Sequence, residues 1–213
     1  MRPRRLIGIV GTATDIGKTW ASAELARSLR SSGHAVVARK PAQSFDPDDA
    51  GPTDAAALAH ATGENPDDIC PPERSYTLPM APPMAAAALG LEPVGMADLL
   101  AAVRWPEGVD FGLLETVGGV CSPVALDGHS ADLVRLADVD EVVLVADAGL
   151  GTIDAVRTAT PALYRAPIVF LNRFDQMSDL HRRNLVWLRD VDGVTAETTV
   201  AGLAGRLAEA VRR

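Results

Sequence analysis

The segment from Gly11 to Thr19 reads GTATDIGKT, between an apolar run at residues 6–10 and a helical pattern at residues 18–31. Glycines at both ends let the backbone fold tightly with its N–H groups directed inward, and the following helix adds its positive end. The final Lys-Thr pair is typical of phosphate and Mg²⁺ contacts. This context predicts a phosphate-binding loop, although an ordinary strand–turn–helix junction is the alternative. Five residues separate the glycines, one more than in the common motif.

Short apolar runs alternate with helical patterns along the chain. We expect strands at residues 6–10, 35–40, 111–115, 142–147 and 168–172, and helices at residues 18–31, 54–62, 96–104, 153–164, 178–189 and 200–212. Continuously apolar strands are buried on both faces, as in a parallel sheet. The pattern predicts an α/β fold with a doubly wound, mainly parallel sheet and helices on both faces. This is a three-layer, P-loop NTPase-like sandwich that forms one domain over residues 1–213. Residues 44–53 and 70–83 are expected to be surface loops.

Charge and composition exclude several classes of protein. The 20 basic and 28 acidic residues give a net charge of −8, which disfavours nucleic acid and anionic membranes as partners. No apolar run approaches the ~20 residues of a membrane span. Arginines near the start resemble a signal peptide, but the apolar run behind them is too short. Cys70 and Cys121 indicate free thiols, so we expect a cytoplasmic protein.

Acidic and basic residues end the predicted strands. Glu115 closes one strand, where a nucleotide-hydrolysing fold places a carboxylate for Mg²⁺. Asp54 is the candidate for a second carboxylate, with a helix N-cap as the alternative. Lys40 ends another strand, where it would stabilise phosphate charge together with Lys18 or simply extend toward solvent. Trp20, next to Thr19, is expected to pack rather than to stack on a base.

Taken together, these segments resemble the dethiobiotin synthetase family, including its five-residue spacing in the phosphate loop. The resemblance rests on GTATDIGKT, KPAQS at residues 40–44, TDA at residues 53–55, LLETVGG at residues 113–119, GLGTI at residues 149–153, and Asn172. It implies an ATP-dependent carbon–nitrogen cyclo-ligase that forms a homodimer and uses Mg²⁺. Its substrates would be CO₂ or bicarbonate and the vicinal diamine 7,8-diaminononanoate. By this resemblance, a carbamate would form on one amine and be phosphorylated to a mixed anhydride, and attack by the other amine would then close the cyclic urea.

The resemblance also implies roles for individual residues. Lys18, Lys40 and Thr14 would be catalytic, and Thr19, Asp54 and Glu115 would hold Mg²⁺. ATP would be bound by Gly11, Thr12, Asp15, Ile16, Gly17, Lys18, Thr19 and, at the adenine, Asn172. The diamine would be bound by Thr14, Lys40, Ser44, Gly118, Leu150 and Asp154.

The chain departs from the family pattern at several positions. Thr116 and Val117 stand where the family usually has Gly-Ala, and the family's C-terminal Gly-Xaa-Xaa-Pro turn is not recognisable. Asp154 replaces an Asn that helps bind the substrate carboxylate from the partner subunit, which sets like charges together. A relative with a shifted diamine substrate therefore stays open. A ParA- or MinD-like switch ATPase is a further alternative, disfavoured because residues 12–16 contain no lysine.

Overall fold

The computed structural model describes residues 1–209, along which strands and helices alternate. The strands are β1 (Arg5–Gly11), β2 (Val36–Arg39), β3 (Gln43–Ser44), β4 (Ser75–Tyr76), β5 (Phe111–Glu115), β6 (Pro123–Ala125), β7 (Gly128–His129), β8 (Glu141–Asp147), β9 (Ile168–Asn172) and β10 (Ala196–Glu197). The α-helices are α1 (Lys18–Ser31), α2 (Asp54–Thr62), α3 (Pro66–Ile69), α4 (Pro82–Ala88), α5 (Met96–Ala102), α6 (Ser130–Leu136), α7 (Thr152–Ala159), α8 (Asp179–Val186) and α9 (Val200–Glu209).

Within residues 1–209, six strands form one parallel sheet in the order β10-β9-β8-β1-β5-β2. Because the strands are parallel, their carboxyl ends meet at one edge of the sheet. Gly11, Glu115, Asp147 and Asn172 each end a strand there, and Lys40 follows the end of β2. Ligands bind at this edge in doubly wound folds. The sheet therefore gathers residues that are far apart in the chain.

Helices cover both faces of the sheet. Along β1, Leu6 and Val10 face one apolar core, while Ile7 and Ile9 face the other. The first core also contains side chains of α5, α6 and α7, and the second contains side chains of α1, α2 and α9. This three-layer arrangement confirms the predicted fold class and explains why the strands are continuously apolar. The extension of a single domain over residues 1–213 stays a prediction.

Three of the described α-helices lie where the sequence did not predict a helix: the single turn α3, α4 and α6. α4 begins within the predicted loop at residues 70–83, because proline fits the first turn of a helix, where its missing N–H is not needed. α6 begins with a capping box, in which the side chains of His129 and Asp132 each accept a hydrogen bond from the other residue's backbone N–H. These local signals outweigh the loop-like composition nearby.

Several predicted helices are shorter in the structure. α5 ends at Ala102, and α7 ends at Ala159 and gives way to a 3₁₀ turn that contains Pro161. Proline lacks the N–H that would continue the α-helical hydrogen bonds. α8 ends at Val186 and is followed by a π-helical segment. The predicted helix at residues 200–212 is present as α9 to Glu209, and its last positions lie outside the described residues. None of the helices in residues 1–209 has both the length and the apolar character of a membrane span.

Candidate active site

The turn between β1 and α1 forms a backbone cradle. Asp15 and Gly17 both adopt left-handed backbone conformations, with φ angles of 55° and 89°. The backbone N–H of Thr12 donates to the carbonyl of Val145 at 3.0 Å, which ties the cradle to β8. α1 starts directly after Gly17, so the N–H groups of its first turn are suited to an anion.

Two consecutive residues, the last of β9 and the one that follows it, donate hydrogen bonds to two consecutive carbonyls of the cradle. Asn172 Nδ2 donates to the carbonyl of Ile16 at 2.9 Å, and Arg173 Nη2 donates to the carbonyl of Asp15 at 3.0 Å. A Cβ at Gly17 would lie only 2.1 Å from Asn172 Nδ2, so this position requires glycine for its close approach as well as for its φ angle. The role of Asn172 at the adenine stays a prediction.

Lys18 lies inside the cradle. The residue is buried, and its Nζ lies 3.4 Å from the carbonyl oxygen of Ala13. Burial, followed by repulsion from Lys40, lowers the pKa of Lys18 to about 8. An incoming phosphate would favour its charged form, because an opposite charge nearby stabilises an ammonium.

Three oxygen-bearing side chains converge beside Lys18. Thr19 Oγ1 lies 2.8 Å from Asp54 Oδ1 and 2.6 Å from Glu115 Oε1. They come from α1, α2 and the end of β5, respectively. Asp54 is not the N-cap of α2, because Thr53 holds that position and its side chain accepts from the N–H of Ala56. Asp54 is therefore directed into the site while Thr53 caps the helix.

Lys40 bridges the two carboxylates. Its Nζ lies 2.8 Å from Asp54 Oδ2 and 2.7 Å from Glu115 Oε1, and the lysine side chain is 2% exposed. Burial opposes the charged form of Lys40, but the two carboxylates outweigh it and raise the pKa of Lys40 above its ordinary value. For Asp54, burial is likewise outweighed, chiefly by Lys40, and the pKa of its carboxyl is lowered. Lys40 and Asp54 are therefore held in their charged forms, as an ammonium and a carboxylate.

The oxygen set suits Mg²⁺. One hydroxyl hydrogen on Thr19 cannot serve both carboxylate oxygens, and Glu115 Oε2 is buried with no hydrogen-bond partner among residues 1–209. Mg²⁺ prefers one or two carboxylates together with phosphate oxygens and water. Across the described chain no group of three or more His, Cys, Asp or Glu is arranged for a metal, so these residues do not form an all-protein cage.

A cleft of about 1000 Å³ opens over this site. Among the residues that line it, we call the charged Lys18, Lys40 and Asp54 its floor and the apolar residues its apolar wall. Ser44 lines the cleft, and its Oγ is buried without a hydrogen-bond partner among the described residues. The cleft therefore offers both charged and apolar surface to a ligand. The apolar wall includes Trp20, Phe45, Pro47, Pro79, Met80, Val117 and Pro123.

Comparison with known proteins agrees with this geometry. A family model described as an AAA domain matches residues 5–170. The ATP-dependent dethiobiotin synthetase of Rhodococcus jostii (strain RHA1) is 34% identical over 212 residues, which cover 96% of this chain and 90% of that protein. The chain belongs to the ATP-dependent dethiobiotin synthetase family. It is thus an ATP-dependent ligase, and the predicted enzyme class is confirmed.

Other dethiobiotin synthetases are similarly close. The enzyme of Caulobacter vibrioides (strain NA1000 / CB15N) is 39% identical over 161 residues, which cover 73% of this chain and 72% of that protein. The enzyme of Haloferax mediterranei is 34% identical over 197 residues, which cover 89% of this chain and 81% of that protein. The family resemblance in the sequence motifs is therefore confirmed.

Solved structures show the fold alone. Chloroplast FtsY from Physcomitrella patens matches with a TM-score of 0.52 and 18% identity over 94% of this chain, which spans only 61% of that structure. A putative plasmid partition protein from Borrelia burgdorferi B31, bound to AMPPNP, matches with a TM-score of 0.52 and 13% identity, covering 92% of this chain and 86% of that one. Both matches support the α/β, three-layer fold of this chain.

The structure brings most of the site residues expected for a dethiobiotin synthetase into one region. Leu150 and Asp154 are separate, since neither lines the cleft and Leu150 is 92% exposed. A second cavity of about 520 Å³, lined in part by Glu141 and Arg206, contains none of the predicted site residues. The residues that line the cleft or form the cradle are Gly11, Thr12, Thr14, Asp15, Ile16, Gly17, Lys18, Thr19, Lys40, Ser44, Asp54 and Gly118.

The sequence motifs do not reveal every residue at this candidate site. Trp20 is 53% exposed and lines the cleft, so the expectation that it packs is wrong. Arg173, which donates to the carbonyl of Asp15, belongs to none of the sequence motifs, so no pattern predicts its position. A compositional signal was available for the lysines: Lys18 and Lys40 are the two lysines of the chain, and the other basic residues are arginines.

Proposed function

We propose that this chain closes a cyclic urea on 7,8-diaminononanoate, using CO₂ and ATP with Mg²⁺, to give dethiobiotin. The observation that carries the proposal is the convergence of two ammonium groups, Lys18 and Lys40, on the floor of a cleft beside the phosphate cradle. Membership of the dethiobiotin synthetase family supports it. A cytoplasmic location stays an expectation.

The proposed reaction begins with carbamate formation. One amine of the diamine takes up CO₂, and a carbamate oxygen then accepts the γ-phosphoryl group of ATP, which releases ADP. The neighbouring amine attacks the carbonyl carbon of the mixed anhydride, and phosphate leaves. Lys18 and Lys40 offset the negative charge of carbamate and γ-phosphate where these meet, while Thr14 contacts the carbamate. No protein nucleophile is needed, because the cleft supplies orientation and charge.

Three residues are proposed to hold the metal. Thr19, Asp54 and Glu115 present the hard oxygen atoms that Mg²⁺ prefers. The bound ion would supply neutralisation of the phosphate oxygens. These residues also orient one another, because Thr19 contacts both carboxylates and Lys40 bridges them.

The apolar wall and the exposed loop before α7 are assigned to the substrate tail. Phe45 and Met80 suit the aliphatic chain of the diamine by their apolar surface. Leu150 and Asp154 lie away from the cleft of their own chain, so we propose that a homodimer brings them to the partner's cleft. Asp154 favours a second candidate, in which the diamine substrate carries no carboxylate, because two like charges would otherwise meet.

Phosphate release tests the proposal. Purified protein is given 7,8-diaminononanoate, bicarbonate, Mg²⁺ and ATP, and then each mixture with one component missing. We expect phosphate only from the complete mixture, together with a cyclic urea product detected by mass spectrometry. A parallel series with a diamine that lacks the carboxylate separates the two candidates. Phosphate release that does not depend on any diamine would instead support a switch ATPase and overturn the ligase proposal.

A further inference from the structure

One oxygen of the Glu115 carboxylate contacts both Lys40 and Thr19. Glu115 Oε1 lies 2.7 Å from Lys40 Nζ and 2.6 Å from Thr19 Oγ1. Asp54 divides its oxygens in the same way, with Oδ2 toward Lys40 and Oδ1 toward Thr19. Two of the three residues proposed to hold the metal, Asp54 and Glu115, thus also bind the Lys40 ammonium.

A divalent cation and the ammonium cannot both be favourably placed on this pair of carboxylates. Lys40 lies within hydrogen-bond distance of both Asp54 and Glu115, so a cation bound by the same two groups would lie only a few ångströms from Nζ. Like charges at that separation repel strongly in a partly buried site. A buried ammonium also needs a partner, so Lys40 cannot leave the carboxylates unless another anion receives it.

The phosphate cradle supplies that second anion position. Lys18, whose Nζ hydrogen-bonds the carbonyl of Ala13 in the cradle, lines the same cleft as Lys40, and the two lysines are close enough for Lys40 to lower the pKa of Lys18. A phosphate bound there would give the Lys40 ammonium a partner other than Asp54 and Glu115. Nucleotide binding would then free both carboxylates for the cation.

We propose that the Lys40 ammonium competes with the divalent cation for Asp54 and Glu115, and that nucleotide phosphate relieves the competition by receiving Lys40. This inference rests on the metal site of the proposed function and extends it to the order and coupling of binding. It makes Lys40 the residue that links nucleotide affinity to metal affinity. Linkage requires the effect to be reciprocal, so the cation must also strengthen nucleotide binding.

Metal titration without substrates tests the competition. The dissociation constant of Mn²⁺, measured from the free-ion signal in electron paramagnetic resonance, is compared with and without a non-hydrolysable ATP analogue. For the protein without nucleotide we expect Lys40→Met to bind Mn²⁺ at least about tenfold more tightly than wild type, because the competing charge is lost. Lys40→Arg, which keeps the charge, should stay near the wild-type value. The improvement on adding nucleotide should be smaller in Lys40→Met than in wild type.

A matched variant separates competition from a general loss of charge. Lys18→Met removes an ammonium from the same cleft, but from a lysine whose Nζ hydrogen-bonds a backbone carbonyl rather than the two carboxylates. We expect its gain in Mn²⁺ affinity to be several-fold smaller than that of Lys40→Met. Equal gains in the two variants, or no gain in a folded Lys40→Met protein, would overturn the proposal.

Wild-type protein gives an independent readout if Lys40→Met does not fold. The chain has two lysines, so protein labelled with [ε-¹³C]lysine gives two side-chain resonances, which conservative Lys→Arg variants assign. The nucleotide analogue alone should already move the Lys40 resonance, because the phosphate receives its ammonium, and Mg²⁺ added to that complex should move it further, because the cation takes Asp54 and Glu115 from Lys40. A Lys40 resonance insensitive to Mg²⁺ would contradict the competition. Neither measurement needs the diamine. Failure of the competition proposal can therefore be distinguished from failure of the ligase proposal.

Discussion

Asn172 and Gly17 approach so closely that a single methyl group at Gly17 would lie 2.1 Å from the Asn172 amide nitrogen. The contact joins the end of β9 to the phosphate loop, although the two residues are 155 positions apart in the chain. The same amide nitrogen donates a hydrogen bond to the carbonyl of Ile16. The shape of the cradle is therefore set from outside the loop.

Gly17→Ala tests this relationship. We expect the substitution to lower the free energy of unfolding by about 1–3 kcal/mol from backbone strain alone, and by more because of the clash with Asn172. Binding of an ATP analogue, measured by calorimetry, should fall below detection. Gly33→Ala is the matched control, since Gly33 has nearly the same φ angle of 88° but open space around its Cβ position. Equal behaviour of the two variants would show that the contact with Asn172 carries no weight.

Lys18→Ala is expected to abolish ATP turnover without disturbing the fold. Loss of one charged donor at a reacting phosphate lowers the turnover number by about 10²–10³-fold or more. Because burial and Lys40 disfavour the Lys18 ammonium, its removal should leave the thermal midpoint unchanged or slightly raised. Phosphate release and thermal unfolding measure the two effects, with Arg30→Ala, at the far end of the same helix, as the control. Full activity in Lys18→Ala would remove the phosphate loop from the mechanism.

Asp154→Asn is expected to lower the apparent Michaelis constant for a diamine that carries a carboxylate. The reason is repulsion between the Asp154 carboxylate and that of the substrate, and a tenfold effect corresponds to about 1.4 kcal/mol. The effect should be absent for a diamine without the carboxylate. Asp68→Asn, in the first turn of α3, is the control for loss of an exposed acid. An unchanged Michaelis constant in Asp154→Asn would show that Asp154 lies away from the substrate tail.

The free energy of unfolding is expected to fall at alkaline pH because of the buried thiol of Cys70. Burial raises the pKa of its thiol from 9.0 to about 12. Above pH 9 the unfolded chain therefore loses the proton while the folded protein keeps it, so stability falls as pH rises toward 12. At pH 10 this contribution is about 1.4 kcal/mol. Denaturant unfolding at pH 8 and pH 10 should show a loss larger by this amount in wild type than in Cys70→Ala. Parallel losses would contradict the assignment.

The parallel sheet could be predicted from the sequence because its strands carry a strong, continuous apolar signal. β1, β5 and β8 lie in the middle of the sheet, and their buried residues have little alternative to a strand. β10 is a two-residue edge strand, and such a short segment has no periodicity to detect. The start of α4 could not be predicted from the sequence, because prolines such as Pro82 and Pro83 are common in loops as well as in the first turn of a helix.

The floor of the site was predictable for a different reason. Lys18, Thr19 and Glu115 lie at strand ends or in a motif whose chemistry is local, so sequence spacing places them. The bridge from Lys40 to Asp54 depends on how α2 packs beside β2, which no spacing encodes. Whether Thr53 or Asp54 caps α2 could not be decided either, because both residue types are good caps.

The confinement of lysine to two buried positions has a practical side. Reagents that acylate primary amines would find only the chain's amino terminus and the two ammonium groups on which turnover is proposed to depend. Amine-directed immobilisation, dye conjugation or cross-linking would thus either proceed slowly or inactivate the protein by modifying Lys18 or Lys40. Cys121, a free and exposed thiol, offers the more selective handle for attaching a probe.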